Sequence, residues 1–101
     1  MQRQLVGFLG VQAVLDEATI TNIVIAKDYQ GKGLAQRLWQ MALYDLKQRD
    51  VKVVFLEVRE SNKRAQYLYE ILGFEAFHTR RDYYNDPVED AIEYRLEIEQ
   101  R

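Results

Sequence analysis

Cysteine is absent from this 101-residue chain, which excludes disulfide bonds and thiolate metal sites. The sequence has a single histidine, and no set of metal-ligating residues accompanies it. No apolar run approaches the roughly 20 residues of a membrane-spanning helix, and the opening Met1-Gln2-Arg3-Gln4-Leu5 contains no signal-peptide apolar segment. We therefore expect a single domain over residues 1–101, in the cytoplasm, with no metal and no membrane partner.

Charge is nearly balanced overall but unevenly placed along the chain. The formal net charge of −2 argues against a nucleic-acid-binding domain. Residues 27–64 carry nine Lys and Arg against five Asp and Glu, whereas residues 82–99 carry seven Asp and Glu against one Arg. The first stretch suits an anionic ligand and the second a cationic one. The alternative is that both stretches are the solvated faces of amphipathic elements.

Apolar periodicity predicts alternating strands and helices. The expected strands are Leu5–Leu15, Ala18–Ile25, Val51–Val58, Phe74–Tyr83 and Glu89–Ile98, and the expected helices are Gly33–Arg49 and Asn62–Leu72. Val51–Val58 is almost continuously apolar, which predicts a strand buried on both faces. Ser61 or Asn62 is the expected N-cap of the second helix, and Gly73 is its expected end. This order predicts an α/β fold with a mixed, mostly antiparallel sheet and crossover helices.

A glycine-bearing loop, Asp28–Ala35, leads directly into the first helix. Glycines let main-chain N–H groups converge, and a helix start adds unpaired donors and partial positive charge, so this corner suits a phosphate group. A nucleoside-triphosphate loop is excluded because only one residue separates Gly31 from Gly33. A dinucleotide-binding loop is excluded because Gln36 stands where its third glycine would be. A plain solvent-exposed turn is the remaining alternative.

Two residues capable of proton transfer follow the loop. Glu57 lies at the end of an apolar strand, where a carboxylate must be hydrated, paired or hydrogen-bonded, and where burial favours a general base. The alternative for Glu57 is an ion pair with Arg59, Lys63 or Arg64. Tyr69 lies on the apolar stripe of the second helix, where most tyrosines are core residues with one hydrogen bond.

Four segments of the sequence carry a family resemblance. They are Gln30-Gly31-Lys32-Gly33-Leu34-Ala35, Leu56-Glu57-Val58-Arg59-Glu60-Ser61-Asn62, Leu68-Tyr69-Glu70-Ile71-Leu72-Gly73-Phe74, and Arg80-Arg81-Asp82-Tyr83-Tyr84 followed by Glu89-Asp90-Ala91. At this spacing the chain resembles the GNAT N-acetyltransferases, and among them the branch of ribosomal-protein-alanine acetyltransferases. The resemblance implies transfer of an acetyl group from acetyl-CoA to a protein N-terminal α-amine, such as the N-terminal alanine of a ribosomal protein.

The resemblance also assigns roles to individual residues. Glu57 would be the general base and Tyr69 the general acid. The residues implied in cofactor binding are Ile23, Val24 and Ile25 toward the pantetheine arm and thioester, Gln30, Gly31, Lys32, Gly33, Leu34, Ala35 and Gln36 around the pyrophosphate, and Asn62 near the pantetheine portion. Tyr83 and Tyr84 are candidates to hold the acceptor through their hydroxyl groups. The neighbouring acidic residues Asp86, Glu89, Asp90 and Glu93 would attract a positively charged acceptor chain.

One feature departs from the family pattern. GNAT domains usually begin with a strand, one or two helices and another strand before the hairpin with which this chain opens. We therefore expect an N-terminally truncated GNAT fold in which the acetyl-CoA-binding half is complete and the acceptor-binding half is partial. The chain would be a fragment, a mis-started reading frame or a minimal relative completed by a partner, for example as a homodimer. The alternatives are a GNAT acting on a small-molecule amine and a non-catalytic acetyl-CoA-binding domain.

Overall fold

The computed structural model describes residues 7–25 and 33–98. In chain order, the elements are β1 (Gly7–Val14), β2 (Glu17–Ile25), α1 (Leu34–Gln48), β3 (Val53–Arg59), α2 (Lys63–Ile71), β4 (Glu75–Tyr84) and β5 (Glu89–Glu97). The strands form a sheet in the order β1-β2-β3-β5-β4. β2 and β3 run parallel, and the other neighbouring strands run antiparallel. The predicted mixed, mostly antiparallel α/β sheet is therefore confirmed.

Local signals set the ends of the second helix as predicted. The Asn62 side chain caps α2 by accepting a hydrogen bond from the Ala65 N–H at 3.2 Å. Gly73 follows the helix with a φ of 100°, a left-handed conformation that glycine adopts without steric cost. α1 has 15 residues and α2 has nine. Neither of these two described helices is long and apolar enough to cross a membrane.

Both helices cover the same face of the sheet, where aromatic rings from the two helices pack against each other. Trp39 of α1 is fully buried, and its ring meets Tyr69 edge to face at a centroid distance of 5.6 Å and Phe74 at 5.4 Å. Tyr69 of α2 also packs against Tyr94 of β5, with ring centroids 5.9 Å apart. Edge-to-face pairs add about 0.5–1.5 kcal/mol each beyond the burial of their area. This core fixes the ring of Tyr69.

The burial of β3 differs from the prediction. Its residues alternate between buried and half-buried, and the buried ones are Val54, Leu56 and Val58. The expectation that this strand is buried on both faces is wrong for the described structure, because the two described helices pack on one face. On the other face, Phe55 is partly covered by Phe77, whose ring lies 5.9 Å away and is half exposed. We call this second side of the sheet the open face.

Candidate active site

The parallel strands β2 and β3 pair only at their beginnings. The ladder joins Glu17 with Val53, Ala18 with Val54 and Thr19 with Phe55, and the described structure shows no further pair between these strands. Both strands nevertheless continue, to Ile25 and Arg59. Their unpaired main-chain N–H and C=O groups require other partners. The strands therefore leave a gap in the sheet that a ligand with hydrogen-bonding groups can enter.

The predicted cofactor-binding strand residues lie along this gap. Ile23, Val24 and Ile25 form the end of β2, where their other main-chain edge pairs with β1. This pairing holds the strand in place while its second edge faces the gap. Contact of these three residues with a cofactor stays a prediction.

The start of α1 is open to an anion. Gly33 precedes the helix in a left-handed conformation, with φ 73° and no side-chain cap, and the first turn contains no acidic residue. The first helical hydrogen bond runs from the Arg37 N–H to the Gly33 carbonyl at 3.2 Å, so the N–H groups of Leu34, Ala35 and Gln36 come before it. Exposed N–H groups and a partial positive charge suit a phosphate. By contrast, α2 is closed by its own cap.

The loop that precedes α1 is described only at its end. Gln30, Gly31 and Lys32 lie outside the described residues, so their predicted contacts with pyrophosphate stay predictions. Among the described residues, a Cβ placed on Gly33 would meet no atom within 4 Å. An anion held by main-chain N–H groups would suit this helix start.

Glu57 lies on the open face, beside the gap. It follows Phe55, the last β3 residue paired with β2, by two positions, and its side chain is 30% exposed. Its ion-pair partner in the described structure is Arg80 of β4, with 4.0 Å between Arg80 Nε and Glu57 Oε1. The predicted alternative, an ion pair of Glu57 with Arg59, Lys63 or Arg64, is wrong for the described residues, and Arg59 pairs with Glu89 at 3.2 Å. The Glu57 carboxylate is therefore partly exposed to solvent, and its ion pair with Arg80 is a long one.

Tyr69 is a core residue in the structure, and its role as a general acid stays a prediction. The residue is 6% exposed and belongs to the aromatic core. Burial raises the pKa of its hydroxyl, and the nearby Tyr84 and Tyr94 raise it further. A tyrosine hydroxyl is protonated at neutral pH, as a general acid must be.

Tyr83 and Tyr84 lie at the end of β4, close to Glu57. Their rings are 5.1 Å apart, edge to face. The Arg59 guanidinium lies 4.2 Å from the centre of the Tyr84 ring, and Arg80 lies 5.5 Å from that of Tyr83. A hydrogen bond to the Glu57 carboxylate, and then the charge of that carboxylate, raise the pKa of the Tyr83 hydroxyl. The structure thus brings the candidate base and the candidate acceptor tyrosines together.

Two other predicted site residues already have structural partners. The Asn62 carbonyl oxygen caps α2. The Asp90 carboxylate accepts a hydrogen bond from the Asp82 N–H at 2.9 Å, and the Asp90 main-chain carbonyl accepts one from the Glu60 N–H at 3.1 Å. Contacts of Asn62 with a cofactor and of Asp90 with an acceptor stay predictions. Residues 7–25 and 33–98 contain no cluster of three or more His, Asp or Glu side chains suited to a metal ion.

The acidic C-terminal stretch is partly neutralised within the chain. Three of its glutamates form ion pairs with arginines: Glu89 with Arg59, Glu93 with Arg80, and Glu97 with Arg95. Sequence reasoning missed Arg80 and the pairing of Glu93, because both depend on the register between β4 and β5. These pairs reduce the attraction that the stretch would exert on a cationic acceptor.

The sheet gap, the uncapped helix start and the nearby carboxylate define an α/β domain with a cleft suited to a phosphate-bearing ligand. The Acetyltransferase (GNAT) family matches residues 2–74, and the chain belongs to this family. The resemblance found in the sequence motifs is thereby confirmed.

Two named relatives match most of this chain, one by sequence and one by structure. The chain is 45% identical over 84 residues to the [ribosomal protein bS18]-alanine N-acetyltransferase of Haemophilus influenzae, covering 83% of this chain and 57% of the relative. It superimposes on the crystal structure of the ribosomal-protein-S18-alanine N-acetyltransferase from Escherichia coli with a TM-score of 0.89 and 44% identity, covering 95% of this chain and 63% of that one. The chain thus spans about three fifths of these relatives.

A more distant neighbour shows the same fold with a ligand. It is a GNAT family acetyltransferase from Elizabethkingia anophelis solved with acetyl-CoA bound, at a TM-score of 0.86 and 20% identity, covering 94% of this chain and 70% of that one. At this identity the likeness establishes the fold alone.

Acid should weaken the link between the end of β3 and the last hairpin. Hydrogen bonds from the Ser61 hydroxyl and N–H lower the pKa of the Glu89 carboxyl, and Arg59 adds to this effect. A carboxylate with a lowered folded-state pKa stabilises the fold above its unfolded pKa and loses this contribution as pH falls through the folded value. Glu89→Gln should therefore lower the unfolding temperature at pH 7, and the difference from wild type should shrink below about pH 4.

Thermal unfolding at pH 7, 5 and 3.5 tests this prediction. Glu97→Gln is the matched control, since Glu97 lies on the same strand with its side chain 76% exposed, and it should leave the profile close to wild type. An equal loss for Glu89→Gln at all three pH values would contradict the assigned role.

Proposed function

We propose that this chain transfers an acetyl group from acetyl-CoA to the α-amine of a protein N-terminus, with the N-terminal alanine of a ribosomal protein as the substrate class. The observation that carries the proposal is the position of Glu57, accessible on the open face beside the strand gap and next to Tyr83. The names of the relatives at 44–45% identity support the same acceptor.

In this proposal two described segments bind the cofactor. The main chain of Ile23, Val24 and Ile25 would bind the pantetheine arm in the gap, and the start of α1 would hold the pyrophosphate. Bound acetyl-CoA supplies an acetyl group activated as a thioester.

Glu57 and Tyr69 would move the two protons of the reaction. Glu57 accepts a proton from the substrate ammonium, and the free amine then attacks the thioester carbonyl, forming a C–N bond as the C–S bond breaks. Tyr69, a phenol that is protonated at neutral pH, donates its proton to the departing sulfur. The attacking nitrogen still carries one proton more than an amide does, and this proton returns to the Tyr69 phenolate, so that the acid is restored. An α-amine, with a pKa of about 7.7–8.0, is easier to deprotonate than lysine at about 10.4.

Replacing Gly33 should weaken cofactor binding more than it weakens the fold. In Gly33→Ala, the new Cβ lies at the helix start, where a pyrophosphate would approach the N–H groups. The left-handed φ adds a strain of about 1–2 kcal/mol. Gly73→Ala is the matched control, because Gly73 also has a positive φ but lies at the end of α2.

Calorimetric titration with coenzyme A, together with urea unfolding of each variant, separates the two effects. We expect a loss of affinity of at least tenfold in Gly33→Ala alone and destabilisation in both variants. Equal affinities in the two variants would argue against phosphate binding at this helix.

Removal of either proton-transfer group should reduce turnover. Glu57→Gln keeps the shape of the side chain, and Tyr69→Phe keeps the packed ring while removing its hydroxyl. Each should lower kcat by roughly 10²–10⁴-fold with little change in coenzyme A affinity, provided that proton transfer limits the rate. The deficit of Glu57→Gln should shrink as pH rises, because the acceptor amine then deprotonates without a base. Full activity of both variants at neutral pH would show that Glu57 and Tyr69 contribute to packing and not to catalysis.

Acceptor choice distinguishes the proposal from its alternatives. We expect a peptide that begins with alanine to give a higher kcat/KM than an N-terminally blocked peptide with an internal lysine or than a free polyamine. Tyr83→Phe should raise KM for the peptide, because the hydroxyl available to its backbone is lost. Release of coenzyme A measured with all three acceptors makes the comparison. A faster rate with the polyamine would favour a small-molecule acetyltransferase, and no turnover with any acceptor would favour a binding domain.

A further inference from the structure

We infer that Arg80 is a positioning residue that keeps Glu57 available as a base by holding Glu93, the carboxylate that faces it across the sheet. The inference rests on the proposed function, in which Glu57 is the general base. The residues involved come from three neighbouring strands, β3, β4 and β5.

Two carboxylates oppose each other on the open face. Glu57 of β3 and Glu93 of β5 are direct cross-strand partners. Like charges in this arrangement repel, and the Glu93 side chain is only 14% exposed, so water screens it poorly. A cation between the two carboxylates would relieve this repulsion.

Arg80 is the cation near both carboxylates, and it lies closer to Glu93 than to Glu57. Its Nε donates a hydrogen bond to Glu93 Oε1 and lies 4.0 Å from Glu57 Oε1. The close contact neutralises Glu93. The longer one leaves Glu57 without a direct hydrogen bond from the guanidinium, so its lone pairs stay available to a substrate ammonium.

An irregular segment of β4 brings Arg80 and Tyr83 to the same carboxylate. In a regular strand, residues three apart point to opposite faces. Here the register shifts between Arg80 and Tyr84, and Asp82 within that segment has a left-handed φ of 51°. The Asp82 N–H donates a hydrogen bond to the Asp90 carboxylate, which stabilises this irregular segment. As a result, Tyr83 and Arg80 both interact with Glu57.

The other titratable groups near Glu57 have different partners or positions. On β3, Arg59 pairs with Glu89. On β4, His78 lies opposite Glu93 in register, and Tyr84 stacks against Arg59. In residues 7–25 and 33–98, Arg80 is therefore the cation that forms an ion pair with Glu57.

Two variants should shift the pH dependence in opposite directions. Arg80→Met leaves Glu57 and Glu93 facing each other without a cation, so the acidic limb of the kcat/KM profile should move up by roughly one pH unit. Glu93→Gln removes the repulsion and frees Arg80 to approach Glu57, so the same limb should move down. Arg80→Lys keeps the positive charge, so the acidic limb of its kcat/KM profile should stay close to that of wild type. A purely structural role would not produce shifts of opposite sign.

Arg95→Met is the matched control. Arg95 lies two residues from Glu93 on the same strand and pairs with Glu97, so its loss should leave the limb unchanged. Carbon-13 NMR titration of the glutamate carboxyls, with Glu57 assigned through Glu57→Gln, measures the same shifts without turnover. This second readout decides the inference even if no acceptor is acetylated.

The outcomes separate this inference from the proposed function. Opposite shifts of the Glu57 midpoint in Arg80→Met and Glu93→Gln, with matching shifts of the kinetic limb, are the expected result. An unmoved midpoint in both variants, or shifts of the same sign, would overturn the role of Arg80. Normal turnover in Glu57→Gln, with the midpoint shifts intact, would instead overturn the role of Glu57 in the reaction.

Discussion

The separation of β2 from β3 after three residue pairs is the constraint on which the rest of the site depends. A strand edge left open inside a sheet would normally close by pairing. Here each strand is held by its other neighbour, β2 by β1 and β3 by β5 along its whole length. The gap can therefore persist, because each of the two strands that border it is hydrogen-bonded to its other neighbour. It also determines which end of β3 borders the gap, since Glu57 comes two residues after the last parallel pair.

This gap explains how a buried acid and an exposed base could serve one reaction. Tyr69 belongs to the aromatic core under the helices, whereas Glu57 lies on the open face, so the sheet separates the two side chains. In the proposed function, a thioester lying in the gap would be approached by the amine from the open face and by the acid from the core. The rigid contacts of Tyr69 with Trp39 and Phe74 would then favour catalysis as well as stability.

Local sequence signals predicted most of the fold, and the two errors concern long-range packing that local signals do not encode. Helix ends were predictable because Asn62 and Gly73 act within a few residues of their own positions. The apolar run of β3 gave the strand but not its one-sided burial, which depends on which face the helices cover. The partner of Glu57 was also missed, since Arg80 reaches it only through the irregular register of β4. Contacts between strands are set by register, which composition and periodicity do not encode.

The ion pairs of the last hairpin change how an acceptor would be recognised. Counted along the sequence, residues 82–99 look like an acidic surface. In the fold, Glu89 and Glu93 are neutralised by Arg59 and Arg80, which also stack on Tyr84 and Tyr83. The arginines therefore orient the tyrosines while cancelling the charge beside them. Selection of an acceptor would then rest on hydrogen bonds from hydroxyl groups and on the ease of deprotonating its amine, and less on long-range attraction of a basic chain.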